Sequence, residues 1–212
     1  MHLDPTTIVI SLLALILAMT LHEFAHAWMG HYLGDSTAHD EGRLTINPLA
    51  HIDPIFTVAL PIISFLTTGV ALAAAKPVPF NPWALRGGRW GAALVAAAGP
   101  FTNLLLALFF AFWLNVAAGG NVIAYEFLGT MIVMNISLFL FNMIPFPPLD
   151  GSRVLYAVAP AGLRSVMDRI ESAGMGAILL LFLAFYYLGL GQYLGMGVGF
   201  IVSLLVPHSP LP

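Results

Sequence analysis

The chain has 212 residues, of which 59% are hydrophobic and 8% charged, and its mean hydropathy is +0.92; a soluble domain is about a quarter charged. So little polar surface cannot clothe a water-soluble globule, which makes a lipid bilayer the solvent, and a formal charge of −3 carried by so few groups says little more. The lack of cysteine excludes disulfides and thiolate metal sites, so any metal must be held by His, Asp or Glu.

In chain order, residues 1–5 lack a basic stretch, and cleavage after the following apolar run would fall within the histidines at its end, so no cleavable signal peptide is expected. Residues 7 to about 30 suffice to span a hydrocarbon layer of about 30 Å as a helix, with Gly30 and Gly34 as stops. Residues 35–53 are the most polar stretch and read as a solvated loop. Residues 54–75 are apolar again but carry Pro54, Pro61 and Gly69 among hydroxyl residues, which makes a poor straight helix. Residues 76–82, with Pro77, Pro79 and Pro82, read as stiff and extended. Residues 90–118 form a second clear span, Gly119-Gly120-Asn121 a tight turn, and residues 122–143 a third span carrying Asn135 and Asn142. Pro145, Pro147 and Pro148 then break the helix before Asp150-Gly151. Residues 152–171 read as short interfacial helices. Residues 174–206 read either as one span with a further segment or as a broken hairpin. The expected fold is an all-α polytopic bundle of about 4–6 transmembrane helices, with 54–75 re-entrant or hairpin-like. It forms one integral-membrane domain over 1–212, with its core at 7–159 and C-terminal apolar segments at 172–206. No second soluble domain, fixed-period repeat or low-complexity tract is evident.

Sidedness favours that map. If 54–75 turns back, Arg43, Lys76, Arg86, Arg89, Arg153, Arg164 and Arg169 all fall on one face, as the positive-inside rule asks of a cytoplasmic surface. If 54–75 crosses, Arg43 alone is stranded, a small bias. The stronger reason is that turning back brings the ends of the first and third spans to the same face.

The chemistry lies in His22-Glu23-Phe24-Ala25-His26, near the end of the first span. Residues four apart share a helical face, so His22 and His26 can grip one metal ion, with Glu23 beside them as a base for water. A catalytic zinc wants a third protein ligand and an open position. His31 lies off the face of the pair, His39 and His51 belong to the polar loop, and Glu41 sits among solvated neighbours. Asp150 is the better choice, because an ionisable group at membrane depth is costly and is a functional candidate by default. Its competing reading is a helix N-cap; the unmatched histidine pair tips the balance toward a ligand.

Taken together, the His22–His26 motif, Ala98-Gly99-Pro100-Phe101-Thr102-Asn103, and Asn142-Met143-Ile144-Pro145-Phe146-Pro147-Pro148-Leu149-Asp150-Gly151 resemble the site-2 protease family of intramembrane zinc metalloproteases. The resemblance implies one catalytic Zn2+ held by His22, His26 and Asp150, with Glu23 as catalytic base. It implies a transmembrane protein or peptide substrate cut near the cytoplasmic side of a bilayer, the prokaryotic plasma membrane being the expected home. It also implies that Asn142 lies near the reacting carbonyl, where a neutral amide can donate to a developing oxyanion; interhelical hydrogen bonding is the alternative for Asn142. Asn103 and Asn135 read first as packing residues or as supports behind the ligands. No PDZ-like or other regulatory domain is apparent, so the chain reads as a minimal member. The rival reading is a membrane protein that binds or transports divalent metal without proteolysis. It fits less well, since the ionisable groups cluster in one place and a Glu between two ligands suits hydrolysis. Nucleic acid has no place in either reading.

Overall fold

The computed structural model describes residues 4–52, 78–116 and 121–207. Among the described residues the regular structure is all helical. In order it comprises α1 (Pro5–Tyr32), the short α2 (Thr37–Asp40), a 3-10 turn at Pro48–Ala50, α3 (Arg89–Val116), α4 (Val122–Asn142), α5 (Asp150–Val158), α6 (Ala161–Ser172), α7 (Met175–Tyr187) and α8 (Leu190–Leu205). Helices α1, α3 and α4 are long and apolar enough to cross a membrane, and α7 with α8 makes a fourth candidate, bent by 73°. The bend falls at Gly189, whose φ of +63° favours glycine. The stretch 174–206 is therefore a broken pair of helices. The chain is an integral membrane protein. The expected re-entrant segment at 54–75 and the two glycines of the Gly119-Gly120-Asn121 turn lie outside the described residues.

Helix boundaries follow local chemistry. Pro5 opens α1, where its missing N–H costs nothing. Gly30 does not end the helix, contrary to expectation; it is buried within α1, and the stop is Gly34, at φ +103°. Asn121 caps α4 by accepting from the Ile123 and Ala124 N–H groups.

The central helix is α3, which packs on α1, α4 and α5. Close approach is possible because the facing positions are small: Ala14, Ala18 and Ala25 of α1, and Ala93, Ala96, Ala107 and Ala111 of α3, are buried. Large residues such as Leu12, Leu13, Leu105 and Phe112 face outward, as expected where the surrounding medium is hydrocarbon. A wholly apolar cluster joins Ala107, Ala111 and Leu114 to Ile132 and Ile136 of α4 and to Val198 and Val202 of α8. At one end of the bundle the Thr7 hydroxyl donates to the Glu126 carboxylate at 2.6 Å, linking the starts of α1 and α4.

The polar stretch after α1 is only partly solvated: His39, Asp40 and Glu41 are exposed, while other polar residues turn inward. Asp35 is 2% exposed, and its carboxylate accepts from the Thr37 N–H and hydroxyl and from the Asn81 N–H at 2.6 Å. Arg43 and His51 are also buried, Arg43 donating to the Ala50 carbonyl and a His51 ring nitrogen lying 2.9 Å from the Thr45 carbonyl. Within this run of hydrophilic residues, Asp35, Arg43 and His51 thus form buried, hydrogen-bonded anchor points. The Arg86 N–H donates to the Leu33 carbonyl, so the end of α1 and the approach to α3 lie together.

Candidate metal centre

The site forms where α1, α3 and the start of α5 converge. His22 and His26, one helical turn apart on α1, place their Nε2 atoms 2.9 Å from each other. Asp150, the first residue of α5, brings Oδ2 to 3.3 Å from both. These three donors form the one cluster among the described residues with the spacing of a metal site.

Asp150 arrives there because of the turn before it. Pro145, Pro147 and Pro148 cannot extend α4, and the chain folds through short bonds from Phe146 N–H to the Ile144 carbonyl and from Leu149 N–H to the Phe146 carbonyl. Gly151 permits the return: a Cβ there would stand 2.3 Å from the Met143 carbonyl oxygen. Leu149 holds the N-cap position, and the Asp150 side chain makes no capping bond. The cap reading of Asp150 is thereby excluded.

Hydrogen bonds settle the state of the imidazoles. Asn103 Nδ2 donates to the Ala18 carbonyl at 3.2 Å and to Asn135 Oδ1 at 2.9 Å, and Asn135 Nδ2 donates to the Met131 carbonyl. That chain fixes the amide orientation, so Asn103 turns Oδ1 toward His22 Nδ1 at 2.6 Å. His26 Nδ1 faces the Val95 carbonyl at 2.7 Å. Both partners are acceptors, so each Nδ1 carries a hydrogen, and each ring when neutral presents an Nε2 lone pair. Pro100, inside α3, supplies no donor for the Ala96 carbonyl and loosens the turn that presents Val95.

Two Nε2 atoms and a carboxylate oxygen thus converge, and Asp150 Oδ2 is buried. With both rings neutral such an arrangement is repulsive unless a cation lies between its members. Four-coordinate zinc with bonds of about 2.0–2.1 Å sets its ligand atoms about 3.3 Å apart, which matches the two edges that meet at Asp150, the edge between the imidazoles being shorter at 2.9 Å. Gly99 provides the room: a Cβ there would stand 2.4 Å from His26 Nε2 and 2.7 Å from His22 Cε1. The residues present fit a zinc ion.

Glu23 is buried beside the pair, and its Oε2 accepts from the Val78 N–H at 3.2 Å. Asn142, at the end of α4, is partly buried and donates through Nδ2 to the Leu138 carbonyl at 3.0 Å, which leaves its second amide hydrogen uncommitted among the described residues. The other candidates stay away from the centre. His31 stacks on exposed His39, His51 is bound within its own loop, and Glu41 is exposed. Asn103 and Asn135 do stand behind a ligand, in line with their reading as supports. The roles of Gly99 as a wall, of the Val95 carbonyl and of the Val78 N–H were not anticipated. The glycine and asparagine were visible within one motif; a backbone carbonyl and a backbone N–H leave no signal in side-chain identity.

Comparison with known proteins gives the family. The model of peptidase family M50 matches residues 116–185. A Bacillus subtilis (strain 168) protein named "Putative zinc metalloprotease YwhC" is 38% identical over 178 residues, covering 80% of this chain and 78% of that protein. Proteins named "Putative zinc metalloprotease Rip2" from Mycolicibacterium smegmatis and Mycobacterium tuberculosis (strain H37Rv) are 26% and 27% identical. The matches cover 64% and 80% of this chain, and 52% and 64% of those proteins. No solved structure matches. A relative this similar over most of both chains, together with the family match, places the sequence: the chain belongs to peptidase family M50, the site-2 protease family of zinc metalloproteases.

Proposed function

We propose that the chain hydrolyses peptide bonds within or near the transmembrane segments of membrane-protein substrates, with His22, His26 and Asp150 holding one zinc ion and Glu23 acting as general base. The observation that carries the reading is the meeting of His22 Nε2, His26 Nε2 and Asp150 Oδ2 within 3.3 Å of one another, beside a buried carboxylate. Bound there, zinc would polarise the scissile carbonyl and acidify the attacking water. Glu23 takes the proton of that water and returns it to the departing amine. Asn142 offers its free amide hydrogen to the oxygen that gains charge. Asn103 and the Val95 carbonyl keep both imidazoles in the tautomer that turns Nε2 inward.

The substrate's scissile bond must leave helical geometry, since a helical amide is hydrogen-bonded and shielded; a span containing Gly, Pro or Asn unwinds more readily. For pairing of an unwound substrate with the 76–81 stretch, the described part, 78–81, offers the Phe80 N–H and its carbonyls: Pro79 has no N–H, and those of Val78 and Asn81 are already engaged. The gathering of basic residues at the end of the bundle that holds the site supports a cytoplasmic placement, and the bacterial relatives support a prokaryotic plasma membrane.

The test uses purified protein in bilayers with a labelled single-span substrate. Glu23→Gln is expected to retain one zinc per chain and to lose cleavage by roughly a hundredfold or more. Undiminished cleavage in that variant would remove the mechanism, and zinc binding without cleavage in the wild type would favour a metal-handling protein.

A further inference from the structure

The sequence singles out a proline-rich stretch whose purpose the metal ligands do not explain. Its described part, residues 78–81, is tied down at three points. Val78 N–H donates to Glu23 Oε2. The Phe80 ring lies under the Arg153 guanidinium, 4.8 Å from its centroid, and Arg153 stands three residues after Asp150 on α5. Asn81 N–H donates to Asp35, a carboxylate 2% exposed whose other oxygen is held by Thr37. The stretch therefore runs from the helix that carries the base to the helix that carries the third ligand, with a buried anchor at its end. Among the described residues the Val78 N–H is the one hydrogen-bond donor to the Glu23 carboxylate. It is also held firmly, because Pro79 confines Val78 to extended backbone.

We infer that Val78, through its backbone N–H, is a positioning residue for Glu23, and that Asp35 fixes the strap that delivers it. This rests on Glu23 being the general base. A glutamate side chain has three rotatable bonds, and burial alone does not choose among their settings. The Val78 N–H engages one carboxylate oxygen and leaves the other to meet the water's proton. Hydrogen bonds to charged groups are strong enough to decide such an orientation. Pro79 has no N–H to compete, so the strap presents a single donor at this place.

Val78→Pro deletes that N–H while keeping an extended backbone, and Val78→Ala trims the side chain while keeping the N–H. Full-length protein in bilayers is assayed against the single-span substrate, with zinc content and Tm measured alongside. Val78→Pro is expected to lower kcat roughly tenfold to a hundredfold with KM, zinc content and Tm close to wild type, and Val78→Ala to stay near wild type throughout. Equal kcat in the two variants would overturn the assignment while leaving the protease reading intact. The protease reading fails separately, if Glu23→Gln cleaves as well as wild type. Should Val78→Pro lose its zinc, Asp35→Ala decides. That change removes the acceptor of the Asn81 N–H and so frees the end of the strap. It is expected to reduce kcat at unchanged KM and zinc content; an unchanged kcat there overturns the assignment.

Discussion

The two halves of α3 face different worlds. From Val95 to Asn103 it meets imidazoles, an amide network and the space that Gly99 leaves open. From Ala107 to Leu114 it meets Ile132, Ile136, Val198 and Val202, with no polar side chain in the cluster. In water the second half would be the source of stability. In a bilayer, lipid tails are as apolar as the protein interior, so burying leucine against leucine gains chiefly shape. The polar half has no such alternative partner in hydrocarbon, so each donor and acceptor there must be matched within the protein. The apolar half should therefore tolerate change gradually, and the polar half should fail at single atoms.

Three substitutions press on that contrast. The largest effect is expected at Gly99→Ala. One methyl placed 2.4 Å from His26 Nε2 cannot be accommodated without displacing a ligand, so zinc content should fall far below one per chain and cleavage should vanish. A fully loaded, active Gly99→Ala protein would show that the imidazoles are not confined as described. Next comes Asn103→Ala, which removes the acceptor that fixes His22 and strands Asn135. Zinc affinity measured by competition with a chelator should drop roughly ten- to a hundredfold. Smallest for function is Ile136→Ala in the apolar half: unfolding free energy should fall by about 2 kcal/mol or more, with zinc affinity unchanged. If Ile136→Ala weakened zinc as much as Asn103→Ala does, the two halves would not be separable.

The sequence made the ligands legible because their chemistry is carried by side chains at fixed spacing. Two histidines four apart and an aspartate stranded among prolines can be read without coordinates, and so can three of the spans, because membrane helices must be long and apolar. Asp35 was hidden for the opposite reason. An aspartate among other polar residues looks solvated, and only the fold reveals that it is wrapped by the N–H groups of Thr37 and Asn81. Gly30 misled because glycine is tolerated within membrane helices; the true stop, Gly34, differs in its backbone angle. The bend at Gly189 was ambiguous because a glycine-rich apolar run is equally consistent with one path or two.

The separation of the ligands along the polypeptide carries a consequence for biogenesis. His22 and His26 emerge during synthesis about 120 residues before Asp150, and Asp150 reaches them only once the turn after α4 has closed around Gly151. Until then the nascent protein offers the two imidazoles without their third partner, a poor trap for a divalent cation. With His22, His26 and Asp150 as the proposed ligands, metal loading would be a late event that follows insertion of α4, and a ribosome-bound fragment ending before Asp150 is expected to lack hydrolytic capacity toward its neighbours in the membrane.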